Sequence, residues 1–175
     1  MTMENRGHIV ACDVSEPRLE GAVRRLRRAG VHNAERHLLV PGDRWARRRA
    51  GSFDRVLVDA PCTGTGTWRR NPDARLRLTE RDLEELTAKQ AEILSTAATL
   101  VRPGGRLIYA TCSVLREENQ DRIASFLASS QQFRRAGPEP GCGLPPDLAQ
   151  DGMIALSPLR HGTDGFFAAI LERVA

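Results

Sequence analysis

The chain has 175 residues with a hydrophobic share of 41% and a charged share of 27%, which suits one folded domain with its own core and excludes a disordered or fibrous chain. No run of about 18 apolar residues occurs, which excludes a membrane-spanning helix, and the polar stretch from Met1 to His8 has no h-region of a secretory signal. The formal charge of +4 is carried almost wholly by arginine, and the 4 cysteines form neither a CxxC pair nor a zinc spacing, so the sequence points to reduced thiols, a cytoplasmic protein and no metal.

In chain order, His8-Ile9-Val10-Ala11-Cys12-Asp13 reads as a short buried strand that closes on an acid, with Cys12 facing the interior. Ser15 stands where a helix cap is expected and Pro17 in the first turn, after which Leu19, Ala22, Val23, Leu26 and Ala29 recur at helical spacing up to Gly30. A carboxylate at a strand end can accept hydrogen bonds from both hydroxyls of a ribose, so Asp13 is a candidate; it also reads as a plain helix-entry acid. Residues 33–40 suggest a second short strand leading to Pro41-Gly42-Asp43-Arg44-Trp45. The arginines at 24–28 and 47–49 read first as solvated faces, although clustered arginine also binds phosphates.

The next stretch organises the chain. Phe53 to Asp59 is a strand whose Val56-Leu57-Val58 run is of the fully buried kind, and it breaks at once into Ala60-Pro61-Cys62-Thr63-Gly64-Thr65-Gly66. Ligands collect where the strands of an open α/β sheet end, so an acid and a thiol at that point suggest a site; a turn beside a buried structural cysteine is the plainer reading. Arg69 and Arg70, just past this loop, are candidate phosphate contacts.

Thr79-Glu80-Arg81-Asp82 has the form of a capping box, and the helix beyond it puts Leu83, Leu86, Ile93, Leu94, Ala97 and Leu100 on one face. Arg102-Pro103-Gly104-Gly105 marks a turn, and Arg106 to Ser113 is a second strand that runs into a thiol, Cys112. A helix between two strands usually makes them parallel neighbours, which would bring Cys62 and Cys112 to one edge. A helix over residues 117–129, a Gly- and Pro-rich loop over 137–146 holding an exposed Cys142, and an antiparallel hairpin of residues 153–156 and 166–171 complete the chain.

Asp59-Ala60-Pro61-Cys62-Thr63-Gly64-Thr65-Gly66 and Tyr109-Ala110-Thr111-Cys112-Ser113 resemble the two signature motifs of the Sun/Fmu (RsmB-type) RNA cytosine-5 methyltransferases. Glu117-Glu118-Asn119 and Asp164-Gly165-Phe166-Phe167 are similar too, and the resemblance runs from about Ile9 to Glu172. It implies a Rossmann-like class I methyltransferase α/β sheet with a C-terminal antiparallel hairpin, residues 1–175 forming a single, partial catalytic domain. It also implies S-adenosylmethionine as cofactor and RNA, ribosomal by the family's habit, as partner. By the resemblance Cys112 is the nucleophile and Cys62 assists product release. Asp13 would take the ribose hydroxyls and Asp43 the adenine side, although the connection from Gly30 to Asp43 is longer than the family's. Asp59 would hold the cytosine amino edge or the methionine ammonium, with Pro61, Arg69 and Arg70 on the substrate side. No glycine-rich cofactor loop precedes Ile9, so the expectation is a sheet missing its first, central strand and much of the cofactor cradle, with weak or no S-adenosylmethionine binding by this chain.

Two other functions fit parts of the same sequence. One is an amino-directed methyltransferase on the same fold, which would place Asn/Asp-Pro-Pro-aromatic where this chain has Asp59-Ala60-Pro61-Cys62. The other is a non-catalytic RNA-binding fragment with idle thiols. A nicotinamide oxidoreductase fits the sequence least, since no GxGxxG opens a helix after a strand.

Overall fold

The structure is a computed structural model that describes residues 3–145 and 147–174. Two units divide the chain, Met1–Arg44 and Trp45–Ala175.

In the first unit, strand β1 (Ile9–Asp13) leads through helix α1 (Glu16–Arg28) to strand β2 (Ala34–Leu38), which pairs with β1 in parallel from Ile9↔Ala34 to Asp13↔Leu38. This is the βαβ crossover that parallel pairing requires. Ser15 occupies the helix N-cap position with a proline in the first turn, yet its side chain makes no capping bond. The turn into the helix is instead held by Asp13, whose Oδ1 accepts the Ser15 N–H at 2.9 Å. Gly30, at φ +68, closes the helix in the left-handed region that favours glycine. The expectation of an interior Cys12 is corrected: this cysteine is exposed. One helix can cover only one face of a two-stranded sheet, and Cys12 alternates with the more buried Ala11 and Asp13.

The second unit starts with α2 (Trp45–Arg48) and β3 (Phe53–Asp59), followed by a 3₁₀ turn at Thr65–Thr67 and the short α3 (Ala74–Arg77). Then come α4 (Glu80–Leu100), β4 (Val101–Thr111), α5 (Gln120–Ser129) and the three-residue β5 (Phe133–Arg135). The chain ends with β6 (Ala149–Gln150), β7 (Met153–Leu156), α6 (Pro158–His161) and β8 (Phe166–Arg173). The sheet order is β3-β4-β8-β7-β6, with β5 also on β8. Strands β3 and β4 are parallel, whereas β8 runs antiparallel to β4, β5 and β7. The expected hairpin partners, β7 and β8, do pair. Strand β8 lies between β4 and β7, and β6 extends the sheet beyond β7.

Helix α4 begins with the predicted capping box: Thr79 accepts from the Asp82 N–H while Asp82 accepts from the Thr79 N–H. Its apolar stripe reaches the core through Leu94, Ala97 and Ala98, which pack with Val101, Leu107 and Tyr109 of β4. From the other elements Ile123, Phe126, Phe133 and Leu171 join the same core, and the rings of Phe126 and Phe133 stand 5.5 Å apart at a tilted angle. The predicted turn at 102–105 lies inside β4 as a bulge. Pairing jumps there from Phe53↔Val101 to Arg55↔Arg106, and Gly104 takes φ +74.

Strand β3 departs from its expected full burial. Val58 is buried, but Leu57 is 68% exposed. The reason is position: β3 is an edge strand with β4 as its partner. Among the described residues no helix is long and apolar enough to cross a membrane.

Candidate active site

The site grows from the shared register of β3 and β4. Asp59 is level with Ala110, and the ladder carries one residue further because the Ala60 N–H donates to the Ala110 carbonyl at 2.9 Å. Both strands therefore end together, and Pro61-Cys62-Thr63 and Thr111-Cys112-Ser113 leave the sheet side by side. The two half-buried sulfurs, Cys62 Sγ and Cys112 Sγ, stand 3.4 Å apart. That spacing is within hydrogen-bond reach for sulfur and well inside the width of a nucleobase.

Burial, and then the hydrogen bond with Cys112, pushes the Cys62 thiol up to about 12. Cys62 therefore carries its proton at neutral pH.

Small residues make the loops fit. Gly66 donates its N–H to the Cys112 carbonyl at 2.9 Å and accepts from the Gly165 N–H at 2.8 Å. A Cβ on Gly66 would sit 2.2 Å from the Gly165 oxygen and 2.8 Å from the Cys112 oxygen, so only glycine allows this approach. The late Asp164-Gly165-Phe166-Phe167 motif thus closes against the first thiol loop.

A buried polar network backs the pair. The Glu118 carboxylate accepts from the Thr63 N–H at 2.9 Å, the Thr63 hydroxyl at 2.6 Å and the Gln90 amide at 2.9 Å. The Gln90 amide also donates to the Pro61 carbonyl at 2.9 Å. Asn119 accepts from the Thr111 hydroxyl at 2.6 Å and donates to the Ser113 carbonyl at 2.9 Å. The Tyr109 hydroxyl donates to the Glu118 carbonyl at 2.8 Å, and Ser113 and Thr65 share a hydroxyl contact of 3.0 Å. A buried carboxyl group is costly without hydrogen-bond partners, and this one has three donors.

The remaining candidates lie as follows. Asp59 and Pro61 are exposed at the exit of β3, and Asp59 has no side-chain partner among the described residues. Arg70 is engaged by Asp164, Nε to Oδ2 at 2.6 Å, whereas Arg69 is only 4.0 Å from Asp164 Oδ1. In the first unit, Asp13 uses Oδ1 for the Ser15 N–H; its other oxygen makes no hydrogen bond among the described residues, which fits an acceptor of ribose hydroxyls. Asp43 is bound to His37 at 2.5 Å, so its carboxylate is partly used within its own unit. No cluster of three or more metal-ligating side chains occurs among the described residues.

Gln90, Glu118, Asn119, Thr65 and Ser113 were not among the expected site residues. Gln90 had a readable signal, since it falls in the α4 stripe between Leu86 and Leu94 where an apolar residue belongs. Glu118 and Asn119 had none beyond their likeness to a motif, because polar residues before a helix normally read as solvated.

Comparison with known proteins agrees with the motifs. A family model described as 16S rRNA methyltransferase RsmB/F matches residues 1–172. The ribosomal RNA small subunit methyltransferase B of Klebsiella pneumoniae subsp. pneumoniae is 38% identical over 171 residues, covering 96% of this chain and 37% of that protein. The Thermus thermophilus protein of the same name is 38% identical over 168 residues, with 95% and 39% covered. This chain thus spans under two fifths of the length of these curated relatives. Among solved structures, NSun6 from Pyrococcus horikoshii with SFG superposes with a TM-score of 0.79 at 28% identity, over 99% of this chain and 43% of that one. Two cysteine motifs at neighbouring strand exits, and a family match over nearly the whole length, lead to one conclusion: the chain belongs to the 16S rRNA methyltransferase RsmB/F family.

Proposed function

We propose that this chain carries the chemistry of S-adenosylmethionine-dependent methyl transfer to carbon 5 of a cytosine in RNA, ribosomal RNA by the names of its relatives. The observation that supports it is the 3.4 Å separation of Cys62 Sγ and Cys112 Sγ. Residues 1–175 serve as a partial catalytic domain, working in the cytoplasm. S-adenosylmethionine, when bound, supplies an electrophilic methyl group on a sulfonium centre.

Carbon 5 of cytosine is a weak nucleophile. Addition of the Cys112 thiolate to carbon 6 makes the ring an enamine and activates carbon 5, a covalent route that replaces one hard step with easier ones. After methylation the carbon 5 proton must leave, and the carbon 6–sulfur bond must break with its electron pair returning to Cys112. Cys62 assists this release, as the base for that proton. Its proton is held in the free protein by burial and by Cys112, so it does not compete as nucleophile. Once the Cys112 sulfur is bonded to the ring, its thiol contact and its charge are lost, so Cys62 gives its own proton to solvent more readily and its thiolate then accepts the carbon 5 proton.

Asp59, with no side-chain partner among the described residues, binds the cytosine amino edge or the methionine ammonium, beside Pro61. Asp13 takes the ribose hydroxyls. Asp43 is the weaker candidate for the adenine side because His37 already holds it. Arg69 is the freer of the two loop arginines for a phosphate.

The test is transfer of a labelled methyl group from S-adenosylmethionine to unmodified small-subunit ribosomal RNA, followed by bisulfite sequencing. With S-adenosylmethionine at saturating concentration, a cytosine protected from deamination, absent with Cys112→Ala, is expected, at the low yield that an incomplete cofactor cradle allows. Transfer to an exocyclic amine would support the amino-directed alternative, and salt-sensitive RNA binding with no transfer would support the non-catalytic one.

A further inference from the structure

We propose that Glu118 and Asn119 are positioning residues that set the gap between the two thiols, one gripping the loop of each cysteine. The proposal rests on the reading that Cys62 and Cys112 act on one substrate.

The grips are arranged alike. Glu118 and its partner Gln90 hold Pro61 and Thr63, the residues on either side of Cys62. Asn119 holds Thr111 and Ser113, the residues on either side of Cys112. The two gripping residues are sequence neighbours, so one peptide unit of fixed length joins them. The Tyr109 hydroxyl ties that unit to β4 by bonding the Glu118 carbonyl.

Neither residue has an ordinary local job. Asn119 occupies the N-cap position of α5, where asparagine usually accepts a helix N–H, yet its side chain makes no capping bond. Its amide is directed at the Cys112 loop instead. Glu118 is 0% exposed and Asn119 3%. A carboxylate with no exposure is unfavourable on its own, and here all its bonds go to the Cys62 loop and to Gln90.

Phenylarsine oxide tests the spacing directly, because its arsenic forms two As–S bonds to paired thiols and its oxygen leaves as water. The parent is the full chain with Cys12→Ser and Cys142→Ser, which removes the two exposed thiols. It is expected to take up one equivalent. Glu118→Ala and Asn119→Ala should each weaken capture about tenfold, the effect of a site left loose by losing its support. Glu118→Gln, which keeps an acceptor toward the Thr63 N–H and Gln90, should recover most of it. Ile123→Ala opens a core cavity while removing none of these side-chain hydrogen bonds, and should capture like the parent.

Failure of the parent to capture the arsenical overturns the proposal. So does parent-like affinity in folded Glu118→Ala and Asn119→Ala, or an equal loss in Ile123→Ala. Should the alanine variants not fold, Thr63→Val and Gln90→Leu weaken the same grip from outside. Reduced capture in them supports the proposal, and unchanged capture in both overturns it. Methyl transfer is read separately: the alanine variants should lose about a hundredfold in kcat at unchanged KM for RNA. Capture without transfer in the parent would remove the functional reading and leave the spacing role standing.

Discussion

At the scale of single residues the proposed chemistry depends on two thiols with different jobs. The residues themselves named both, and only the family resemblance ranked them, since burial and hydrogen bonding are properties of the folded chain. Cys62 is pushed up to about 12 by burial first and Cys112 second, well above an ordinary cysteine near 8.5. Its alkylation by iodoacetamide, followed with Cys12 and Cys142 replaced by serine, should therefore keep accelerating above pH 9. Cys112→Ala should move that profile to lower pH without restoring the ordinary value, because burial remains. A plateau near pH 9 with Cys112 present would contradict this. The sign for stability follows. The folded thiol holds its proton to higher pH than the unfolded one, so its contribution is complete below about pH 8.5 and is lost as pH rises toward 12.

At the scale of elements, the placement of the site follows from β3 and β4 ending together, and this much was readable. Two apolar runs, each breaking into a cysteine with a capped helix between them, predict parallel neighbours. Three things were not readable. The exposure of Leu57 depends on β3 having β4 as its partner in the sheet. The place of β8 between β4 and β7 depends on long-range pairing that no local pattern carries. The contact of Gly66 with Gly165 joins residues far apart in sequence. That contact makes its own prediction: Gly66→Ala should cost about 1–3 kcal/mol through overpacking, seen as a lower urea midpoint, and should abolish methyl transfer. An unchanged midpoint would show that the two loops do not meet so closely.

At the scale of the whole molecule, the arginine-rich surface suits a nucleic-acid substrate, with a formal charge of +4. RNA affinity should fall with salt by about 0.7 logarithmic units per decade for each phosphate neutralised on single strands. Arg69→Gln should reduce that slope by about one such contact, whereas Arg70→Gln should change it less, because Asp164 already holds Arg70. Equal effects of the two would contradict the assignment. The family likeness, the fold class and the thiol pair were all legible in two short motifs. The network behind them was not, because polar side chains read as surface until a fold buries them. The most direct test of the division of labour between the sulfurs is a denaturing gel of protein, RNA and S-adenosylmethionine. The account predicts that Cys62→Ala runs as a stable protein–RNA adduct, stalled before release, and that Cys112→Ala gives none. An adduct formed by Cys112→Ala, with none from Cys62→Ala, would reverse the roles and contradict the account.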